Sequence, residues 1–295
     1  MIEGVKNADQ FLYHHTTVET AIAFILKNKS LKFGRYTGTN DPKEAKTWDF
    51  DLGTNGTIDL GKYDMREVSR GLSGDLKERA RVACFSKDTA PLSGNHLDDI
   101  FRRGYCKPRM WAQYASKHAG VCIVFERAKL AQLVQSQFGS RGPILAGPVT
   151  YVDRSVVRYL VRDQAYMINI DVLETVGRNR YAALHLRTHY QRLFFEKMAD
   201  WRDESEWRWI VFADTADELL LDLEDSIAGV MFGEVCEEKA ITEVMNITEG
   251  WGIRRMGLKW KNCSPWYDYA NLRYVPGIIR THWAKHVLDA TKTPT

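Results

Sequence analysis

The stretch Trp201-Arg202-Asp203-Glu204-Ser205-Glu206-Trp207-Arg208-Trp209-Ile210-Val211 constrains this chain more than any other. Aromatic and β-branched residues recur there at period two, the pattern of a half-buried strand. On that register Ser205, Trp207, Trp209 and Val211 share one face, and Glu204, Glu206 and Arg208 share the other. Two carboxylates two residues apart on a strand lie roughly 7 Å from each other, close enough to grip one ligand, and Arg208 beside them favours their ionised forms. The apolar face is expected to be core, and the charged face is either a functional cleft or a salt-bridged solvent face. If it is a cleft, Glu206→Gln should leave stability nearly unchanged, whereas Trp209→Ala should cost about 3 to 5 kcal/mol.

Such a strand needs a core to pack on, and 295 residues can bury a full one, as one large domain or a domain with an elaboration. Basic residues exceed acidic ones by three, an excess that permits a nucleic-acid or nucleotide partner without requiring one. Cys84, Cys106, Cys122, Cys236 and Cys263 are scattered, with neither zinc-knuckle nor redox-pair spacing, so they read as reduced thiols and no metal is expected. No run of about 18 apolar residues exists, and Met1 to Lys6 lacks the apolar segment of a signal peptide. A soluble, cytoplasmic protein with no membrane partner is the expectation.

Phe11 to Thr17 begins as an aromatic strand and runs into a helix. Thr16 and Glu19 there fit a capping box, with Val18, Ala21, Ile22, Ile25 and Leu26 at helical spacing. The strand would deliver His14 and His15 to a helix N-terminus, whose free N–H groups favour phosphates or other anions. Either histidine could instead be a satisfied core residue. Leu31 to Phe33 reads as a strand, 34–44 as an irregular loop, 49–74 as a long surface excursion, 75–81 as a helix, and Val82 to Phe85 as a buried strand with Ser86 at its end. Ser86 is either a ligand-contacting hydroxyl or a strand terminator.

Pro108 to Ala115 predicts a short helix with Trp111, Tyr114 and Ala115 on one face, ahead of a central strand at Gly120 to Phe125. The periodicity gives a helix at 130–138, a strand at 149–151 and mainly helix over 165–201. Within that last segment Arg178, His185, His189 and Arg192 recur as a basic stripe. Strands at 219–223, 227–232 and 254–260 and a helix at 237–247 complete the pattern. Strands and helices do not alternate as a doubly wound sheet requires, and no phosphate-binding loop, dinucleotide fingerprint or nucleophile elbow occurs. An α+β fold is the consistent class.

Six pieces recur in a recognisable order: Leu12 to Thr17, Asn40-Asp41-Pro42-Lys43-Glu44, Phe85-Ser86, Met110 to Tyr114, Gly120 to Ile123 and Glu204-Ser205-Glu206-Trp207-Arg208. Together they resemble the bacterial domain of unknown function 2971 across roughly residues 11 to 260. The opening Tyr-His strand is also similar to the first motif of the ADP-ribosyltransferase superfamily. That resemblance implies a split, mixed or antiparallel sheet with flanking and inserted helices. The single domain would cover 1–270, with insertions at about 45–80 and 155–200 and a tail at 271–295. It also implies NAD as substrate, with His14 on a ribose hydroxyl, His15 and Thr16 beside it, Ser86 or Tyr114 as the middle-motif residue, Glu206 as the late glutamate, Glu204 as its partner, and Arg208 next to both.

Breaking the nicotinamide glycosidic bond develops positive charge on the ribose, which a carboxylate stabilises while a second one orients the nucleophile. The expected acceptor is an intracellular protein or nucleic acid, in a toxin or antiphage effector held in check by an antitoxin. Two other classes stay open: an RNA-cleaving enzyme using His14 and His15, and a non-catalytic nucleotide sensor.

Overall fold

The computed structural model describes residues 4–56, 58–154, 163–214, 218–262 and 264–267. Cys263 and the tail at 271–295 lie outside these residues. In chain order the strands are β1 (Phe11–Thr16), β2 (Ser30–Arg35), β3 (Asp51–Gly53), β4 (Ala80–Lys87), β5 (Val121–Glu126), β6 (Ile144–Pro148) and β7 (Thr150–Tyr151). They continue as β8 (Met167–Asn169), β9 (Glu196–Lys197), β10 (Glu206–Phe212), β11 (Leu219–Asp222), β12 (Ile227–Phe232), β13 (Arg254–Lys261) and β14 (Ser264–Tyr267). The helices are α1 (Val18–Thr20), α2 (Pro42–Ala45), α3 (Met65–Lys77), α4 (Pro108–Tyr114), α5 (Arg127–Phe138), α6 (Ile170–Val176), α7 (Arg178–Phe194) and α8 (Glu238–Ile247). The class is α+β, with mixed, partly antiparallel sheet and flanking helices.

The chain divides into two compact units, the first made of 1–31, 85–134 and 221–295, the second of 32–84 and 135–220. In the first unit β1 lies antiparallel to both β4, with Tyr13 opposite Ser86, and β5, with His14 opposite Ile123. Strand β12 runs antiparallel to β5 and parallel to β13. Every residue from Val121 to Phe125 is fully buried, which explains the unbroken apolar run of this strand. Tyr13, Tyr105, Trp111, Cys122, Val124 and Met231 form the core on one side.

The second unit pairs β2 with β4, and β10 antiparallel to β6, and adds two short parallel pairs, β3 with β8 and β7 with β9. Its core gathers Tyr36, Trp48, Phe50, Leu72, Phe194 and Phe212.

Several local expectations change. Strand β1 runs on through Thr16, which pairs with Val121, so Thr17 caps the next helix by accepting from the Thr20 N–H at 3.1 Å. That helix passes after one turn into a π turn over Ala21–Leu26, whose Ala21, Ile22, Ile25 and Leu26 are buried as their spacing predicts. The supposed surface excursion at 49–74 carries β3 and most of α3. The hydroxyls of Ser69 and Ser73 on that helix accept the backbone N–H groups of Phe50 and Trp48 at 2.8 and 2.9 Å. This helix ends at Lys77, so 75–81 is not a helix of its own. The mainly helical stretch at 165–201 also holds the short strands β8 and β9.

Candidate functional site

The Glu-x-Glu stretch does not form one continuous strand. Residues Ala199–Glu204 coil into a 3₁₀ turn, Ser205 takes a left-handed conformation at φ 46°, and β10 starts at Glu206. Glu204 is therefore off the strand, and the period-two register holds only from Glu206 onward. The cleft expectation is also overturned, since Glu204, Glu206 and Arg208 are 3%, 4% and 1% exposed. Ile210 and Phe212, which share their face in the alternation, belong to the core, and Trp209 opposite is buried as well. The strand is buried on both faces, and its charged half sits in the interior.

Charges so placed persist only when paired. The Arg208 guanidinium grips Glu206 bidentately, Nε to Oε1 and Nη2 to Oε2, both at 2.7 Å. It also donates from Nη1 to the Phe194 carbonyl at 2.9 Å and pairs with Glu44 at 2.7 Å. Lys197 on β9 completes the network, its Nζ 2.9 Å from Glu204 and 2.8 Å from Glu206. The parallel pairing of β7 with β9 sets Tyr151 opposite Lys197, and the Tyr151 hydroxyl accepts the Glu206 N–H at 2.8 Å. Burial would raise the Glu206 carboxyl, but Arg208 and then Lys197 outweigh it and pull it down to about 2. Burial would lower the Lys197 ammonium, but Glu206, Glu44 and Glu204 raise it, so it stays charged. Burial, followed by the charge of Glu206, holds the adjacent Cys84 as a thiol.

Glu44 reaches this network from the Asn40-Asp41-Pro42-Lys43-Glu44 motif. Pro42 opens α2 while the Asp41 carboxylate caps it by accepting from the Lys43 N–H at 2.9 Å, and the resulting turn buries Glu44. Two motifs 164 positions apart thus meet at one guanidinium, from Glu44 to Arg208. The Glu44 Oε2 atom has no hydrogen-bond partner among the described residues. Within the ion-paired set, three carboxylates (Glu44, Glu204, Glu206) face two cations (Lys197, Arg208), which leaves one negative charge in excess.

The remaining candidates belong to the first unit. His14 is half-buried with its ring 5.7 Å from that of Phe85. His15, one residue on, faces the other way, packs edge-on against Trp111 at 5.1 Å and is 6% exposed. Burial, then the neighbouring His14, lowers its imidazole to about 3 against the opposing Tyr105 backbone. Its imidazole is neutral at physiological pH and enclosed by core. Thr16 is buried as the last residue of β1. Ser86 is fully buried, and its hydroxyl has no hydrogen-bond partner among the described residues. Tyr114 is half-buried on α4.

Three of the four residues of the basic stripe on α7 have structural partners. Arg178 binds Asp75 at 2.6 Å, Arg192 pairs with Asp163 and Glu196, and His185 is buried with Nε2 3.0 Å from the Ala165 carbonyl. Lys197 and Glu44 are the residues that pattern reasoning missed. Lys197 sits in a stretch that read as helix, and Glu44 in one that read as loop. Glu44 does close the Asn40-Asp41-Pro42-Lys43-Glu44 piece of the family resemblance, which assigns it no role.

Among the described residues no group of three or more His, Cys, Asp or Glu could hold a metal ion, and no helix is long and apolar enough to cross a membrane. The chain matches a family model described as protein of unknown function (DUF2971) over residues 110–209, which takes in most of α4, all of α7, Lys197 and the Glu204–Arg208 stretch. The Tyr-His strand and the Asn-Asp-Pro motif lie outside that span. No curated protein and no solved structure matches the chain.

Proposed function

We propose that the chain is an ADP-ribosyltransferase-like enzyme that breaks the nicotinamide glycosidic bond of NAD and passes ADP-ribose to an intracellular macromolecule. One observation carries this reading: two buried carboxylates, Glu204 and Glu206, meet at one ammonium, that of Lys197, inside an ion-paired set with one negative charge in excess. Heterolysis of the bond between nicotinamide and ribose leaves the electron pair on nicotinamide and a positive charge on the ribose. A fixed anion in a water-poor site stabilises that charge without having to reorganise. Glu206, ionised at every physiological pH, takes this role. Glu204 orients and deprotonates the incoming nucleophile.

The superfamily resemblance adds His14 on a ribose hydroxyl, with Ser86 or Tyr114 as the middle-motif residue, and the split sheet of that superfamily as the fold type. Because Glu206 is 4% exposed, turnover requires a local opening around it. An enzyme of this kind acting in its own cell fits a toxin or antiphage effector, with an antitoxin as partner.

The test uses NAD labelled in its adenylate half. Nicotinamide release with label passing into protein or nucleic acid is the expected result, and release with label left in free ADP-ribose would reduce the activity to hydrolysis. Binding of NAD without release would make the chain a sensor, and no binding at all would overturn the reading.

A further inference from the structure

The Lys197 side chain is in contact with both carboxylates, 2.9 Å from Glu204 and 2.8 Å from Glu206. Its two carboxylate partners reach it from different local structures, Glu204 from the end of a 3₁₀ turn and Glu206 from the start of a strand, with a left-handed Ser205 between them. Backbone geometry across such a junction does not fix the separation of two side chains, whereas a common ammonium does. Lys197 is itself held in place. It is 5% exposed, its strand pairs with β7 at Tyr151, and its Nζ lies 5.2 Å from the Trp201 ring centroid, within cation–π reach. Arg208 does not duplicate this function, because its bidentate grip is on Glu206 and its other ion pair is with Glu44.

We propose that Lys197 is a positioning residue that fixes the distance and mutual orientation of the Glu204 and Glu206 carboxylates. The role in turnover rests on the proposed glycosidic reaction, while the bridge itself does not. Lys197 is not a nucleophile or a base here, since burial, which would free it of its proton, is outweighed by Glu206, Glu44 and Glu204. A lysine that orients two carboxylates acts on the rate of the step they serve and leaves substrate affinity alone.

The bridge is tested by ¹H–¹⁵N spectra of the lysine side-chain ammonium groups of the full chain, with the Lys197 signal assigned by its loss in Lys197→Arg. A shared ammonium predicts that the signal moves in both Glu204→Gln and Glu206→Gln. Movement in only one of them overturns the bridge. The positioning role is tested by kinetics on Lys197→Met, normalised to folded protein. The expected result is a kcat for nicotinamide release lower by about 100-fold with KM for NAD within about twofold, and recovery of at least tenfold in Lys197→Arg. An unchanged kcat, or a loss confined to KM, overturns positioning. If Lys197→Met does not fold, Lys197→Gln takes its place in the same comparison, with the same expected and overturning results. A signal that moves in both glutamine variants, beside a wild type that releases no nicotinamide, supports the bridge and overturns only the proposed reaction.

Discussion

Glu206→Gln is the perturbation whose size follows most directly from the interior network. In the folded chain burial favours the neutral acid, yet Arg208 and Lys197 pull the Glu206 carboxyl from an ordinary 4.5 down to about 2. Because the folded value is the lower one, ionised Glu206 stabilises the fold. That contribution is complete above the unfolded value and is lost as pH falls from about 4.5 through about 2. The displacement corresponds to about 3 kcal/mol at pH 7, the scale on which removing one partner of a buried ion pair operates. Glu206→Gln should therefore lower stability by about 3 kcal/mol at pH 7, and the deficit should narrow steadily as pH falls from about 4.5 toward about 2. Urea unfolding of both proteins across that range measures it, with Tm at pH 7 expected to drop by about 6 to 12 °C. A deficit below about 1 kcal/mol at pH 7, or one that stays constant with pH, would refute the reasoning. The expectation of a nearly neutral Glu206→Gln, which belonged to a charged face lining a cleft, reverses with the burial of that face.

His15 is held neutral chiefly by burial, at about 3 against an ordinary 6.5, so it costs stability as pH falls below 6.5 toward 3. His15→Phe should remove one proton from the pH slope of stability between pH 4 and 6, and an unchanged slope would show that the ring is solvated. Asp88 accepts from Arg103 at 2.9 Å, Gly104 N–H at 2.8 Å and the Tyr13 hydroxyl at 3.1 Å, all in the interior. Asp88→Asn is expected to cost about 3 to 5 kcal/mol in chemical denaturation, and a loss under about 1 kcal/mol would mean that the loop bearing Arg103 repacks freely. A Cβ at Gly120 would stand 2.3 Å from the Thr16 carbonyl oxygen and 2.8 Å from the Ala115 Cα. Gly120→Ala should therefore yield little folded protein, whereas normal yield and Tm would show that the turn before β5 can shift.

Strand periodicity and apolar runs located β1, β4, β5, β10, β12 and β13, because each buries at least one face along its length. The same reasoning failed where side chains rather than backbone supply the structure. The stretch at 49–74 carries too many polar residues to read as periodic, yet its Ser69 and Ser73 hydroxyls satisfy buried N–H groups and let Trp48 and Phe50 enter the core. Glu206 and Arg208 were legible as a charged pair, but not as an interior one. What puts them inside is their neutralisation by Lys197 and Glu44, which stand 9 and 164 positions away from their respective partners and leave no periodic trace. Glu204 looked like a strand neighbour of Glu206 because spacing alone cannot reveal a left-handed Ser205.

The most direct measurement of the proposed chemistry is nicotinamide release from NAD by three folded proteins side by side: wild type, Glu206→Gln and Asp88→Asn. Asp88→Asn serves as the control for lost stability, since its carboxylate anchors the Arg103 loop and takes no part in the Glu206 network. Release by wild type and Asp88→Asn, with none from Glu206→Gln at a temperature where circular dichroism shows all three folded, is the predicted result. No release by the wild type, or equal release by Glu206→Gln, would contradict it.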